Sequence, residues 1–505
     1  MQPSDLVEVS YRNFLTQLLN QSINQMKLNF TFFLALWLIS TICFAQSESL
    51  TLTPYEFKSA SGEIVQAELG EYLVPENRSK SQDKKLKLSF VRFKSTNPTP
   101  GHPIVYLAGG PGGSGINAAK GDRFEMFMAL RQYADVIAFD QRGTGLSNAI
   151  PACREGAKFE LNVPGSEQEY ITKMNAAAKE CLEFWKEQQI DVAAYNTNEN
   201  AHDIEELRKV LGAEKITLWG ISYGTHLAFA FVKLHPESVD KLVLSSLEGP
   251  DQTIKLPSQN QDFLEQLSDR ISNDPNAPAG FPSLLSLMET VYANLDKAPV
   301  VAKFTDRRSK QEMEVAISKF DVQLVTSFFF LKNPQDSKKL PAIYYKMSQN
   351  DYSDVAPMVA MLRQFAGRMD AMSLAMDAMS GVSVKRWKRI QSESETSLLG
   401  RTTNFPFPDI ANGLGLPDLG SEFRENPKSD LKALFFSGTL DGRTYIADAK
   451  ELTKGFKNGY HVIVEGAGHD LFESDPQIQE MTLAFLKGES LPSLRISIPI
   501  PSFEY

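Results

Sequence analysis

The sequence predicts an α/β fold, a mostly parallel central sheet with helices on both faces and a helical segment inserted late in the chain. Three observations predict it. Short apolar runs ending in glycine alternate with helix-period segments from about residue 100 to 250, the pattern of strands joined by crossover helices. The pattern then turns helical, without glycine-ended strands, from residue 251 to about 424. Two further strand runs follow, 433–438 and 461–464, and both end in glycine turns. In a sheet of this kind ligands bind at the carboxyl ends of the strands.

In chain order, Met26-Lys27 precedes an apolar stretch at 30–44, with Cys43 and Ala45 as small residues three and one positions before Gln46. Residues 1–45 therefore read as a secretory signal peptide, which implies a periplasmic or secreted protein with no stable membrane insertion after cleavage. An uncleaved anchor is the competing reading. The long polar stretch before Met26 points to Met26 as the start, with Met1 the alternative. Residues 51–95 alternate apolar and polar with Gly and Pro breaks, as antiparallel edge strands do. The core is expected in two parts, 46–250 and 425–490, around a helical cap at 251–424. A proline-rich tail, 491–505, is expected to lie across the surface.

The strand run Ile104-Val105-Tyr106-Leu107 enters Ala108-Gly109-Gly110-Pro111-Gly112-Gly113-Ser114-Gly115, where the backbone can approach a ligand closely. No Gly-Lys-Ser/Thr follows, and the spacing misses the dinucleotide pattern, so a phosphate loop is disfavoured. Asp135-Val136-Ile137-Ala138-Phe139 is the next strand. It leads into Asp140-Gln141-Arg142-Gly143-Thr144-Gly145, read as a structural turn. Once Cys43 is removed with the signal peptide, Cys153 and Cys181 remain, an even pair in an oxidising compartment. They flank a helical segment around 168–187 and are expected to form a disulfide, with two buried thiols as the alternative.

The run Ile216-Thr217-Leu218-Trp219 meets Gly220-Ile221-Ser222-Tyr223-Gly224 and then an apolar helical segment. A serine on such a strand-to-helix turn sits in strained backbone, and its neighbours two residues away must lack side chains. Ser222 is the candidate nucleophile, and the Tyr223 N–H, at the positive end of a helix, a candidate oxyanion donor. Gly109 or Gly110 would supply the second donor.

An acid and a histidine should follow, each ending a strand. Residues 433–438 deliver Asp441 in Gly438-Thr439-Leu440-Asp441-Gly442-Arg443-Thr444, and residues 461–464 deliver His469 in Gly466-Ala467-Gly468-His469-Asp470. Of the six histidines only His469 ends a strand; His102 precedes one, His202 lies on an amphipathic helix, His226 follows the start of the helix after Ser222, His235 precedes Pro236 and His461 opens a strand. In these roles Ser222 attacks a carbonyl, His469 takes and returns the proton, and Asp441 orients the imidazole. Asp470 is the rival acid, with a helix-start role as its plainer reading.

Together and in this order, Gly109-Gly110-Pro111-Gly112, Asp140-Gln141-Arg142-Gly143-Thr144-Gly145 and the Ser222 turn resemble the proline iminopeptidase and tripeptidyl aminopeptidase group of α/β-hydrolases. Ala108 stands where cytoplasmic proline iminopeptidases usually carry histidine, so the chain looks more like the secreted tripeptidyl branch. The resemblance covers about residues 85–250 and 430–488. It implies an α/β-hydrolase fold with a helical cap, and a serine aminopeptidase releasing proline or short di- or tripeptide units from small peptides. It also implies that Glu248, just after the strand at 241–244, binds the substrate α-ammonium; Asp370 and Asp377 in the cap are weaker candidates. A carboxylesterase is the second expectation, because the same triad cleaves esters. A non-catalytic binding protein is a third, disfavoured because all three triad members are present.

A net charge of −10 and an isoelectric point near 5.4 argue against a nucleic-acid partner. Neither Cys nor His spacing suggests a metal site, and no cofactor is expected. Met358, Met361, Met369, Met372, Met376 and Met379 crowd one stretch with Phe365. Helix packing is the first reading, a malleable apolar lining for substrate the second.

Overall fold

Ten strands form one sheet in the computed structural model, which describes residues 50–80, 84–154 and 157–505. The expected signal peptide at 1–45 lies outside the described residues. The strands are β1 (Leu50–Lys58), β2 (Ile64–Pro75), β3 (Lys85–Phe93), β4 (Ile104–Leu107), β5 (Val136–Phe139), β6 (Ile216–Ser222), β7 (Val239–Leu247), β10 (Ser429–Gly438), β11 (Phe456–Glu465) and β12 (Arg495–Ser497). β8 (Val300–Thr305) and β9 (Glu312–Ile317) pair separately. The large sheet runs β1-β2-β3-β5-β4-β6-β7-β10-β11-β12. β2–β3 and β3–β5 are antiparallel, and every pair from β5 to β12 is parallel.

The parallel centre follows from composition. β4 and β5 are four-residue apolar runs buried throughout, as strands covered on both faces must be. Tyr106, Phe127, Trp219 and Phe472 pack their rings on one another at 4.6–5.6 Å between centroids, welding β4 and β6 to flanking helices. The chain leaves β4 on one side to make β5 and returns on the other to make β6, so the strand order reverses at β4. That reversal opens a crevice at the carboxyl ends of β4 and β6.

Between β7 and β10 the chain is mainly helical, from Pro257 to Phe423, with its own apolar core. It is not helical alone. β8 and β9 form an antiparallel hairpin that the helix-only expectation missed, because Val300–Thr305 and Glu312–Ile317 are half-exposed strands with no glycine turn at their ends. The tail is mostly exposed and adds two further contacts. Arg495–Ser497 adds β12 to the sheet edge beside β11, with Ile496 buried, and Glu504 exchanges backbone hydrogen bonds with Lys338 and Ala342. Cys181 lies within the helix Glu167–Glu187 rather than beyond it, and it is disulfide-bonded to Cys153. Cys153 in turn exchanges two backbone hydrogen bonds with Met369, bracing the chain just before the helix Ala371–Ser380.

Candidate active site

Ser222 has φ 54° and ψ −127°, a backbone conformation that costs a residue with a side chain on the order of 1–3 kcal/mol. The turn is possible only because its flanks are glycine. A Cβ on Gly224 would lie 2.1 Å from the Leu107 carbonyl oxygen, and one on Gly220 would lie 2.9 Å from the Gly224 oxygen. Tyr223 opens the helix Tyr223–Leu234, so its N–H belongs to the unpaired first turn. Thr225, one turn in, donates to the Ser222 carbonyl at 2.7 Å and accepts from the Glu248 N–H at 2.8 Å, tying the end of β7 to the turn.

The glycine loop comes to Ser222 through register. Leu107 of β4 pairs with Gly220 of β6, and a Cβ on Gly109 would sit 3.1 Å from the Ser222 Cβ. Asp140, at the end of β5, holds this loop from behind. Its carboxylate accepts from Ser114 Oγ at 2.6 Å, the Ile116 N–H at 3.0 Å and the Leu146 N–H at 2.8 Å. Burial nonetheless keeps that carboxyl above its ordinary pKa. Gln141 donates to the Ala108 carbonyl at 3.1 Å. Arg142 turns away into a buried network with Asp203 and the backbone of Glu76 and Ala194.

Asp441 and His469 end β10 and β11, which are parallel neighbours. His469 Nδ1 lies 3.0 and 3.1 Å from the two Asp441 carboxylate oxygens. The Asp441 side chain is fully buried, and accepts from the Arg443 and Thr444 N–H groups at 2.8 and 2.9 Å and from the Thr444 hydroxyl. Burial works to raise its pKa, but His469 and these donors outweigh it and hold the carboxyl below its ordinary value. Asp470 stands at the start of the short helix Leu471–Glu473, as its plainer reading had it. Its carboxylate is held by Lys332 at 2.8 Å and by Asn333 Nδ2 at 2.9 Å, it makes no side-chain cap to the short helix that follows, and Asp441 is the acid at the imidazole.

A turn of the inserted segment, Leu331-Lys332-Asn333, grips both of these loops. The Leu331 carbonyl accepts from the Gly442 N–H at 2.9 Å, and the Lys332 carbonyl accepts from the His469 N–H at 2.9 Å. Asn333 both donates to the Asp470 carboxylate and accepts from the Asp470 N–H. On the other side Ser246, itself at φ 52°, donates to the His469 carbonyl at 2.6 Å.

Ser222 and His469 line one cavity of about 360 Å³, together with Gly109, Gly110, Arg123, Lys332, Arg443 and Asp470. Over the glycine loop lies the helix Ala371–Ser380, whose Ser373 hydroxyl donates to the Pro111 carbonyl at 2.9 Å. Its Met376 sulfur accepts from the Tyr223 hydroxyl. The methionines divide: Met369, Met372, Met376 and Met379 are buried, whereas Met358, Met361 and Phe365 line a separate groove away from Ser222.

Glu248 follows β7 as expected, but it does not line the cavity, and its carboxylate is ion-paired with buried Lys255. Asp377, on the covering helix, has no side-chain hydrogen bond or ion pair among the described residues. Burial and the nearby Glu248 carboxylate push its pKa up to about 7, against the opposing charges of Lys255 and Arg443. Asp370 is exposed at the start of the same helix. Sequence reasoning missed Arg443, Lys332, Arg123 and Asn333. Only Arg443 had a local signal, standing two residues after Asp441 in a turn already singled out.

Among the described residues no group of three or more His, Cys, Asp or Glu side chains could hold a metal, and no helix is long and apolar enough to cross a membrane.

Three curated relatives align with part of the chain. A tripeptidyl aminopeptidase of Streptomyces lividans is 29% identical over 195 residues, 36% of each chain. The serine protease Hip1 of Mycobacterium tuberculosis is 26% identical over 188 residues, again 36% of each. A proline iminopeptidase of Arabidopsis thaliana is 27% identical over 165 residues, 32% of each. The chain thus spans about a third of the length of the curated relatives it matches. The family match is wider, running from residue 102 to 476 across β4, β6, β10 and β11 and the turns after them, and by it this chain belongs to the family with the alpha/beta hydrolase fold.

Proposed function

We propose that the protein is a serine aminopeptidase that releases N-terminal residues from short peptides through an acyl-enzyme. The observation that carries this reading is the meeting of Ser222 and His469 in one cavity with Asp441 at the far imidazole nitrogen. In the first step Ser222 Oγ attacks the carbonyl while His469 Nε2 takes the hydroxyl proton. That proton then goes to the leaving amine, and water repeats the sequence to free the acyl group. Asp441, held ionised by its donors, keeps Nδ1 protonated and offsets the imidazolium charge. The oxyanion is assigned to the N–H groups of Tyr223 and of Gly109 or Gly110; the close approach of Gly109 to Ser222 supports that assignment.

The peptidase names of the relatives support peptide substrates, and the reading of residues 1–45 as a signal peptide supports a secreted or periplasmic protein. For the α-ammonium, Asp377 is the candidate carboxylate left without an ion pair, since Lys255 answers Glu248, although neither carboxylate lines the Ser222 cavity itself. The pairing of Glu248 with Lys255 favours a second reading, a carboxylesterase that needs no ammonium subsite.

The test is hydrolysis of Pro-, Ala- and Ala-Ala-Pro-anilides, with free and acetylated N-termini, beside a short-chain ester. Free-amine anilides should be cleaved, and Ser222→Ala should lower the rate by about 10⁴-fold or more. Turnover of the ester alone would move the assignment to carboxylesterase. An absence of Ser222-dependent turnover on every substrate would refute both.

A further inference from the structure

The charges around Ser222 are the reverse of what the whole chain carries. The protein has a net charge of −10, yet three cations, Arg123, Lys332 and Arg443, line the cavity against a single carboxylate, Asp470. Two of the three are answered. Lys332 pairs with Asp470 at 2.8 Å, and Arg123 lies 3.6 Å from Asp470 and 3.3 Å from Glu473. Arg443 is not. Its backbone N–H is fixed on Asp441, but its guanidinium makes no ion pair and no hydrogen bond among the described residues. A guanidinium brought to a recessed wall without a partner has lost part of its hydration with nothing in return, and its planar fork matches a carboxylate.

We propose that Arg443 is a specificity-determining residue that binds a carboxylate of the substrate close to the scissile bond. This rests on the hydrolase reading of the same cavity. Two sources share that chemistry: the free C-terminus of a di- or tripeptide, and an Asp or Glu side chain beside the cleaved bond. A grip on the free C-terminus would select short peptides over long ones, whereas a grip on a side chain would set no such limit. Asp377 is the internal rival for Arg443, because the Arg443 charge already acts on it.

The experiment separates binding from turnover. Calorimetry on the full-length Ser222→Ala protein would compare Ala-Pro-Ala with a free C-terminus, the same peptide as its amide, and Ala-Pro-Asp amide. The free acid, the aspartyl amide or both should bind about tenfold or more tightly than the neutral amide, and which of them does so identifies the source. Adding Arg443→Gln should erase that ratio, while Arg443→Lys should keep part of it, with a thermal melt confirming that each variant is folded. Equal binding of all three peptides, no binding of any, or a ratio untouched by Arg443→Gln would overturn the proposal. So would an Arg443→Gln effect equal for acid and amide, the result if the side chain serves only Asp377. Turnover by the unmutated protein is read separately. Selective anion binding without Ser222-dependent cleavage would sink the peptidase reading and leave the subsite standing.

Discussion

The two sides of the cavity are built differently. The nucleophile side, at the ends of β4, β5 and β6, is supported from within the sheet: Asp140 and Gln141 hold the glycine loop, and glycines 220 and 224 let the Ser222 turn close. The Asp441 and His469 side, after β10 and β11, is held mainly from outside by the Leu331-Lys332-Asn333 turn of the inserted segment, with Ser246 of β7 the core's hold on the His469 loop. The Ser222 turn is therefore fixed mainly by the core, whereas the position of the imidazole also depends on how the insert docks. A change in the Leu331-Lys332-Asn333 turn should act on the His469 loop, whereas the helix Ala371–Ser380 of the same insert touches the glycine loop and Tyr223.

The largest effect that would break this contrast is expected at Asp140. Asp140→Asn sets an amide against backbone donors that need an acceptor. It should cost about 2 kcal/mol of stability in chemical denaturation and about 10²-fold in kcat, as loss of an oxyanion donor does. If activity survives unchanged, the glycine loop does not need that grip. Asn333→Ala removes two hydrogen bonds from the Asp470 segment, and should lower kcat about tenfold with KM little changed. An equal loss in kcat and 1/KM would place Asn333 in substrate binding instead.

Smaller and more specific is the effect of pH on Asp377. Its pKa is raised to about 7, so it is neutral below that pH and charged above it, and KM for free-amine substrates should fall as pH rises to about 7. Acetylated substrates should lack this limb, and Asp377→Asn should flatten it, with KM about three- to tenfold higher above pH 7. A limb that persists in the variant belongs to another group. The least effect on chemistry is expected from Cys153→Ser with Cys181→Ser. Opening a loop with a sequence separation of 28 should cost about 3 to 4 kcal/mol in denaturant unfolding while kcat falls less than about threefold. A large kcat loss would mean that the brace from Cys153 to Met369 aims the covering helix.

The same contrast explains what could be read from the sequence. The Ser222 turn and the glycine loop were legible because their demands are local: a strained residue needs glycines two positions away, and a close backbone approach needs missing side chains. Asp441 and His469 were legible because each ends an apolar run entering a glycine turn. Asn333 and Lys332 were not, since nothing in Leu331-Lys332-Asn333-Pro334 says that its carbonyls meet loops more than a hundred residues further on. Glu248 shows the limit from the other side. Its position after β7 was legible, but its partner Lys255 comes from the next turn, where chain direction is irregular and periodicity says nothing. β8 and β9 were missed for a related reason, as half-exposed strands bury too little to leave an apolar run.

β7 and β10 are hydrogen-bonded neighbours although the whole inserted segment separates them in sequence. On a ribosome this has a plain result. The Ser222 turn and glycine loop emerge before the insert, Asp441 and His469 only after it, and the brace of those two comes from the insert in between. On the proposed reading, a nascent chain that has emerged only as far as β7 carries Ser222 and the glycine loop but neither Asp441 nor His469, so it cannot yet hydrolyse a substrate.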